Sequence, residues 1–154
     1  MEIKAADVMK LRKMTGAGMM DCKKALQEAE GDFERAKDII REKGKLVVAK
    51  RSDRTATEGF VTTKIVGNKA YILCLACETD FVAQNSEFGA SANAILDIAV
   101  NADAADRETL LAVKNAEGNT VEEIVTEKSG QTGEKVELAY YARIEAPYCV
   151  GYVH

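Results

Sequence analysis

Cys77-Glu78-Thr79-Asp80-Phe81-Val82-Ala83 closes a run of nine residues, Ala70 to Glu78, that is apolar except at its last position, and it precedes a helix start at Asn85-Ser86. The run reads as a buried strand, so Thr79-Asp80-Phe81 forms the turn from a strand toward a helix. Loops carried by a rigid element are where binding residues concentrate. An acid beside a large aromatic at the mouth of a strand can present charge and apolar bulk together. The same spacing allows a plainer arrangement, with Phe81 in the core and Asp80 as a turn acid or helix-entry residue.

Working outward, Gly59 to Val66 alternates loosely, with Phe60, Val61, Ile65 and Val66 as β-formers, and Gly67-Asn68 is a two-residue hairpin signal. The return strand, Lys69 to Cys77, is nearly all apolar, which predicts burial on both faces. Beyond the turn, a helix from about Ser86 to Asn101 gathers Phe88, Ala92, Ile95 and Ala99 on one side. Asp106 to Val113 gives a short helix. Thr120-Val121-Glu122-Glu123 has capping-box spacing and opens a helix to about Ser129, stopped by Gly130. Val136 to Ile144 reads as a half-buried strand. Val136, Leu138, Tyr140, Ala142 and Ile144 share one face, and Glu137, Tyr141, Arg143 and Glu145 the other. Pro147 breaks it, and Tyr148 to His154 reads as the start of one more strand. An apolar ending of this kind reads as a chain cut short of a natural domain end.

Upstream, three short helices are predicted: about Lys4 to Met14 with Val8 and Leu11 inward, about Met19 to Glu30 with Cys22, Ala25, Leu26 and Ala29 as its stripe, and a third from Asp32 to about Lys43 with Phe33, Ala36 and Ile40 on one face. Thr15-Gly16-Ala17-Gly18 separates the first two. Residues 44–58 shift in composition, with Lys45, Lys50, Arg51 and Arg54, and read as a basic connection, partly helical around Leu46 to Ala49. The expected division is therefore a three-helix domain with its linker over 1–54 and a sheet-and-helix domain over 55–154, an α+β protein with an antiparallel sheet.

The 154 residues, 47% apolar and 30% charged, are enough for such a pair of small domains. No apolar run approaches the roughly 20 residues that span a bilayer, and no signal-peptide pattern opens the chain; a cytoplasmic protein without membrane contact is expected. Residues 1–54 carry 14 Lys or Arg against 10 Asp or Glu, and residues 55–154 carry 7 against 15. A mildly basic head on an acidic body argues against nucleic-acid binding and suits docking to a protein whose surface has both signs. Cys74-Leu75-Ala76-Cys77 has the spacing of redox and zinc sites. In a strand, however, residues three apart point to opposite faces, and the one His is the last residue. The four cysteines are read as small buried side chains, and no metal, cofactor or catalytic residue is expected. No phosphate-binding glycine loop and no nucleophile–histidine–acid set is present.

Leu11-Arg12-Lys13-Met14-Thr15-Gly16-Ala17-Gly18-Met19-Met20-Asp21-Cys22-Lys23-Lys24-Ala25-Leu26 is the other informative run. It leaves Met19, Met20, Lys23 and Lys24 near the glycine turn, where methionines beside lysines suit an adaptable contact with a partner; the periodicity equally allows both methionines to fill the small core. This run, together with Cys77-Glu78-Thr79-Asp80-Phe81-Val82-Ala83, Glu58-Gly59 and Thr132-Gly133-Glu134, resembles the bacterial translation elongation factor Ts family across the whole chain.

The resemblance implies a head like the ubiquitin-associated fold, then a core of which the chain holds the first subdomain and the opening strands of the second. It implies guanine-nucleotide exchange on elongation factor Tu, in its GDP-bound and nucleotide-free forms, and no enzymatic chemistry. Phe81 would wedge into the GTPase and Asp80 would disturb the surroundings of its magnesium, with Thr79 and Val82 beside them. Met19, Met20 and Lys23 would contact the GTPase from the head. Gly133 would lie near the partner, and His154 would approach it; Thr132 stands where the family usually has an aliphatic residue. An uncovered sheet edge would also invite a second copy of the chain. The competing reading is a non-catalytic interaction module that docks through the three-helix head.

Overall fold

The computed structural model describes residues 2–154. In chain order its elements are α1 (Ala5–Thr15), α2 (Met19–Glu28), α3 (Phe33–Lys50), β1 (Glu58–Val66), β2 (Lys69–Cys77), α4 (Asp80–Ala83), α5 (Ser86–Ala102), α6 (Arg107–Ala112), α7 (Val121–Thr132) and β3 (Glu137–Glu145). Helices are followed by a three-stranded antiparallel sheet with helices packed on it, the expected α+β class. The chain divides into two compact units. One holds the residues up to Arg54 together with Glu123–Lys135, and the other holds Thr55–Glu122 and Val136–His154.

In the first unit the predicted stripes form the core: Val8, Leu11, Cys22, Ala25, Leu26, Ala29, Ala36 and Ile40 are buried together. Gly16 ends α1 at φ +73°, its N–H donating to the Arg12 carbonyl, a conformation that costs glycine nothing. Asp32 caps α3, its side chain accepting from the Glu34 and Arg35 amides.

Helix α3 continues to Lys50 instead of stopping near Lys43, and Gly44 is buried inside it. A Cβ on Gly44 would sit 2.5 Å from the Thr126 carbonyl oxygen. The glycine therefore marks a close approach of two helix backbones and not a helix end. Gly130 is its counterpart: α7 runs through it to Thr132, because Gly130 also packs against α3. The sequence pattern predicts that α3 ends at about Lys43, just before Gly44, and that Gly130 stops α7. Pairwise close packing competes with that role and wins here.

In the second unit the strand order is β1-β2-β3, and Gly67-Asn68 joins β1 to β2 with Val66 opposite Lys69. Helix α5 covers one face. The Phe60 ring lies against Gly89, Thr62 donates to the Asn93 side chain at 2.7 Å, and Lys64 pairs with Asp97 at 3.1 Å. The register puts Tyr71, Leu73 and Leu75 of β2 on that same face, all buried. Ala70, Ile72 and Cys74 on the opposite face are only half-buried, so the strand is covered on one face and partly exposed on the other. Its apolar run reflects a central position between two strands more than burial from both sides.

The strand β3 also departs from simple alternation. A register shift between Cys74 and Leu75 pairs Cys74 with Tyr140 and Leu75 with Leu138, leaving Ala139 as an extra residue. Leu138 and Tyr141 thus both face the helices and are buried, while Tyr140 and Ile144 point away, 56% and 55% exposed. The expected grouping of Leu138 with Tyr140 and Ile144 is overturned, because one added residue exchanges the faces.

Residues 146–154 form no strand. The strand expected from Tyr148 is therefore not there; the Ala146 amide donates to the Asn68 carbonyl at 2.8 Å, and Gly151 rests against the side chains of Thr63 and Ile65. Beyond α5, Asp103 takes φ +50° and accepts from Lys69 and Tyr71, each at 2.7 Å, with Arg143 at 3.1 Å. These hydrogen bonds, Lys69 foremost, pull its carboxyl down to about 2.

Candidate functional site

The central strand β2 delivers the turn. Its last residue, Cys77, is fully buried, and Glu78 is half-buried. Thr79 is extended, φ −120° and ψ 154°, and its hydroxyl oxygen accepts from the Val82 amide at 3.4 Å. That is the N-cap of α4, one turn of helix whose first residue is Asp80. The Thr79 carbonyl accepts from the Ala83 amide at 3.2 Å, and the Asp80 carbonyl from Gln84 at 2.9 Å. Asn85 then caps α5, accepting from the Glu87 amide at 2.8 Å.

Between two caps and a buried strand, the short helix projects Phe81, 84% exposed. Burying a phenyl ring is worth about 1.5–3 kcal/mol, and the fold forgoes that gain here. Phe81 is therefore outside the core, and the plainer arrangement fails for the ring. Asp80 is exposed beside it and Val82 is half-buried. Charge and apolar bulk stand side by side on an anchored turn.

Helix α2 carries the second group of candidates. Met19 and Met20 are 40% and 63% exposed and Lys23 is exposed, so neither methionine fills the core. The turn before them is fastened: Thr15 donates to the Leu11 carbonyl at 2.8 Å, and the Cys22 thiol points to the Ala17 carbonyl at 3.8 Å. Asp21 on the same helix pairs with Lys43 at 2.7 Å. This group belongs to the first unit and the Phe81 turn to the second.

Gly133 follows α7 at φ +73° and is exposed, its N–H donating to the Ser129 carbonyl at 2.9 Å. It serves as the left-handed stop of that helix. Thr132 donates to the Lys128 carbonyl at 2.9 Å and accepts from the Glu134 amide at 3.3 Å, a use for a hydroxyl that an aliphatic residue could not fill. His154 is exposed, its Nδ1 3.0 Å from the Tyr152 hydroxyl.

Reading the sequence passed over one element of the turn. Cys77, taken as simple buried bulk, places its Sγ 3.3 Å from the Thr79 carbonyl oxygen. The signal available was its place two residues before Thr79 in the same motif. Cys74 and Cys77 do fall on opposite faces of β2, and both are free thiols.

The family model described as elongation factor TS matches residues 78–154. Among curated relatives, a protein named elongation factor Ts from Parabacteroides distasonis is 51% identical over all of this chain and 46% of its own length. One of the same name from Porphyromonas gingivalis is 48% identical over all of this chain and 56% of its own length. A third, from Christiangramia forsetii, is 48% identical over 99% of this chain and 56% of its own length. The chain thus spans about half the length of the curated relatives it matches.

Proposed function

Because the chain belongs to the elongation factor Ts family, we propose that it promotes GDP release from elongation factor Tu, with the Asp80–Phe81 turn acting at the nucleotide site. The observation that carries this reading is Phe81 itself: a ring 84% exposed on a turn anchored at both ends.

Exchange makes and breaks no covalent bond. A factor that binds the nucleotide-free GTPase more tightly than its GDP form must weaken GDP by the same ratio. Phe81 supplies that difference by wedging between packed elements of the GTPase, which switch between discrete arrangements. Asp80 brings negative charge near the bound magnesium. Losing that ion uncovers the charge of the phosphates, and GDP leaves faster.

Thr79 and Val82 hold and flank the wedge. Met19, Met20 and Lys23 form a second contact from the head; Gly133 and His154 complete the surface. On this reading residues 1–54 are the head, and residues 55–154 are the core's first subdomain and opening strands of its second. Residues 123–135 pack with the head. Work in the cytoplasm fits a translation factor, and among the described residues no helix is long and apolar enough to cross a membrane.

The test is stopped-flow release of fluorescent GDP from purified elongation factor Tu. The chain should accelerate release, and Phe81→Ala should abolish most of the acceleration. A wild-type chain that leaves the release rate unchanged overturns the reading.

A second reading, docking through the head alone, is favoured by a groove between α2 and α3 floored by Ala25, Ile39, Ile40 and Leu46. It predicts an affinity for the GTPase indifferent to GDP, whereas exchange requires affinity to fall when GDP is added.

A further inference from the structure

We infer that Cys77 is a positioning residue for the Phe81 turn: its buried thiol, bonded to the Thr79 carbonyl, fixes how α4 leaves the sheet and so where the ring is held. The inference rests on the exchange reading above, because a fixed ring matters only if the ring makes contact.

Bonds from α4 and from β2 meet at Thr79, the joint between a buried strand end and an exposed ring. Its hydroxyl oxygen caps Val82, and its carbonyl accepts the Ala83 amide and the Cys77 thiol. The first two belong to α4 itself and would move with it. The thiol adds to the peptide backbone a side-chain tie from the joint back to β2, where Cys77 is fully buried and paired with Glu58. A thiol is a weak donor. Here, however, it meets the second lone pair of a carbonyl already used by the helix, inside a site that holds it in one place. Phe81 lies only two residues further on, so looseness at Thr79 passes directly to the ring. A wedge that must be ordered on binding loses part of its contact energy to that ordering.

The test uses the full chain with Cys77→Val, Cys77→Ala, Cys77→Ser and, as a control on the opposite face of β2, Cys74→Ala. Stopped-flow GDP release gives the maximal rate at saturating chain separately from the half-saturating concentration. Hydrogen exchange at the Val82 and Ala83 amides reads the joint in the free chain. Cys77→Val and Cys77→Ala should lower the maximal rate by about three- to tenfold, the worth of one neutral hydrogen bond, and speed exchange at both amides. Cys77→Ser, which keeps a donor, should return both readouts to within about twofold of wild type. Cys74→Ala should change neither.

Wild-type behaviour of Cys77→Ala, or a serine variant no better than alanine, overturns the inference. If the wild-type chain fails to accelerate release, the exchange reading falls, and the amides still decide: unchanged protection in Cys77→Ala overturns the positioning role by itself.

Discussion

Gly130 of α7 lies so close to Gly44 of α3 that a Cβ added to it would sit 2.9 Å from the Gly44 Cα. The reciprocal addition on Gly44 meets the Thr126 carbonyl at 2.5 Å. Backbone stands on both sides, so no side chain can swing away. Alanine at either position should lower stability by about 1–3 kcal/mol despite its better helix propensity, since overpacking outweighs the propensity gain of about 1 kcal/mol. Thermal unfolding of Gly44→Ala and Gly130→Ala measures this; a raised midpoint in either would show that the helices can move apart at little cost.

Phe81→Ala should separate stability from function. The ring makes little contact within its own chain, so the unfolding free energy should stay within about 0.5 kcal/mol of wild type. If Phe81 is buried against the GTPase as proposed, its loss, about 1.5–3 kcal/mol, should slow accelerated GDP release by roughly ten- to a hundredfold. Denaturant unfolding and stopped-flow release on one preparation check both halves.

The bulge in β3 makes a prediction that regular alternation would not, since alternation puts Leu138 and Tyr140 on one face. Leu138 is buried and Tyr140 is exposed. Leu138→Ala should cost about 2–5 kcal/mol and Tyr140→Ala less than about 0.5 kcal/mol. Equal costs for the two variants would mean that the strand pairs without the extra residue.

Glu127 is 6% exposed on α7, with Arg41 4.0 Å away and Glu123 also beside Arg41 at 3.5 Å. Burial pushes its carboxyl up from 4.5 to about 7, Arg41 opposing only in part. A raised folded-state value means that the folded chain holds the proton more tightly than the unfolded one. The associated stability is fully present below about pH 4.5 and is lost as pH rises through about 7. The loss should reach at most about 3 kcal/mol. Glu127→Gln should flatten that slope across about pH 5 to 8, the range around its folded value of about 7. An unchanged slope in the variant would assign the pH dependence to other groups.

Elements whose signal is local were legible in the chain. The stripe Cys22, Ala25, Leu26 and Ala29, the Gly67-Asn68 hairpin and the Asp32 cap all depend on neighbours within one or two turns, and each stands where the pattern puts it. What failed depends on distant partners. Gly44 and Gly130 look like breaks until each is seen to need the other, far along the chain. The faces of β3 follow from a pairing with Cys74 and Leu75 that no window around Tyr140 contains. At the candidate site, the turn and the helix start at Asn85-Ser86 were readable, whereas the helical form of the turn and its Thr79 cap were not. The bond from Cys77 was not, because a thiol in an apolar run is indistinguishable from filler until its neighbour's carbonyl is placed.

Ala139 is also the residue that β3 could most easily lose. Without it, Leu138, Tyr140, Tyr141, Ala142 and Arg143 would alternate regularly along the strand, and Leu138 and Tyr141 would keep the same face, with Tyr141 still donating to the Ala104 carbonyl. Removing Ala142 instead would throw everything beyond it out of phase and carry Arg143 away from Asp103. Length variation among natural versions of this strand should therefore collect at position 139, where a missing codon straightens the ribbon without disturbing what it covers.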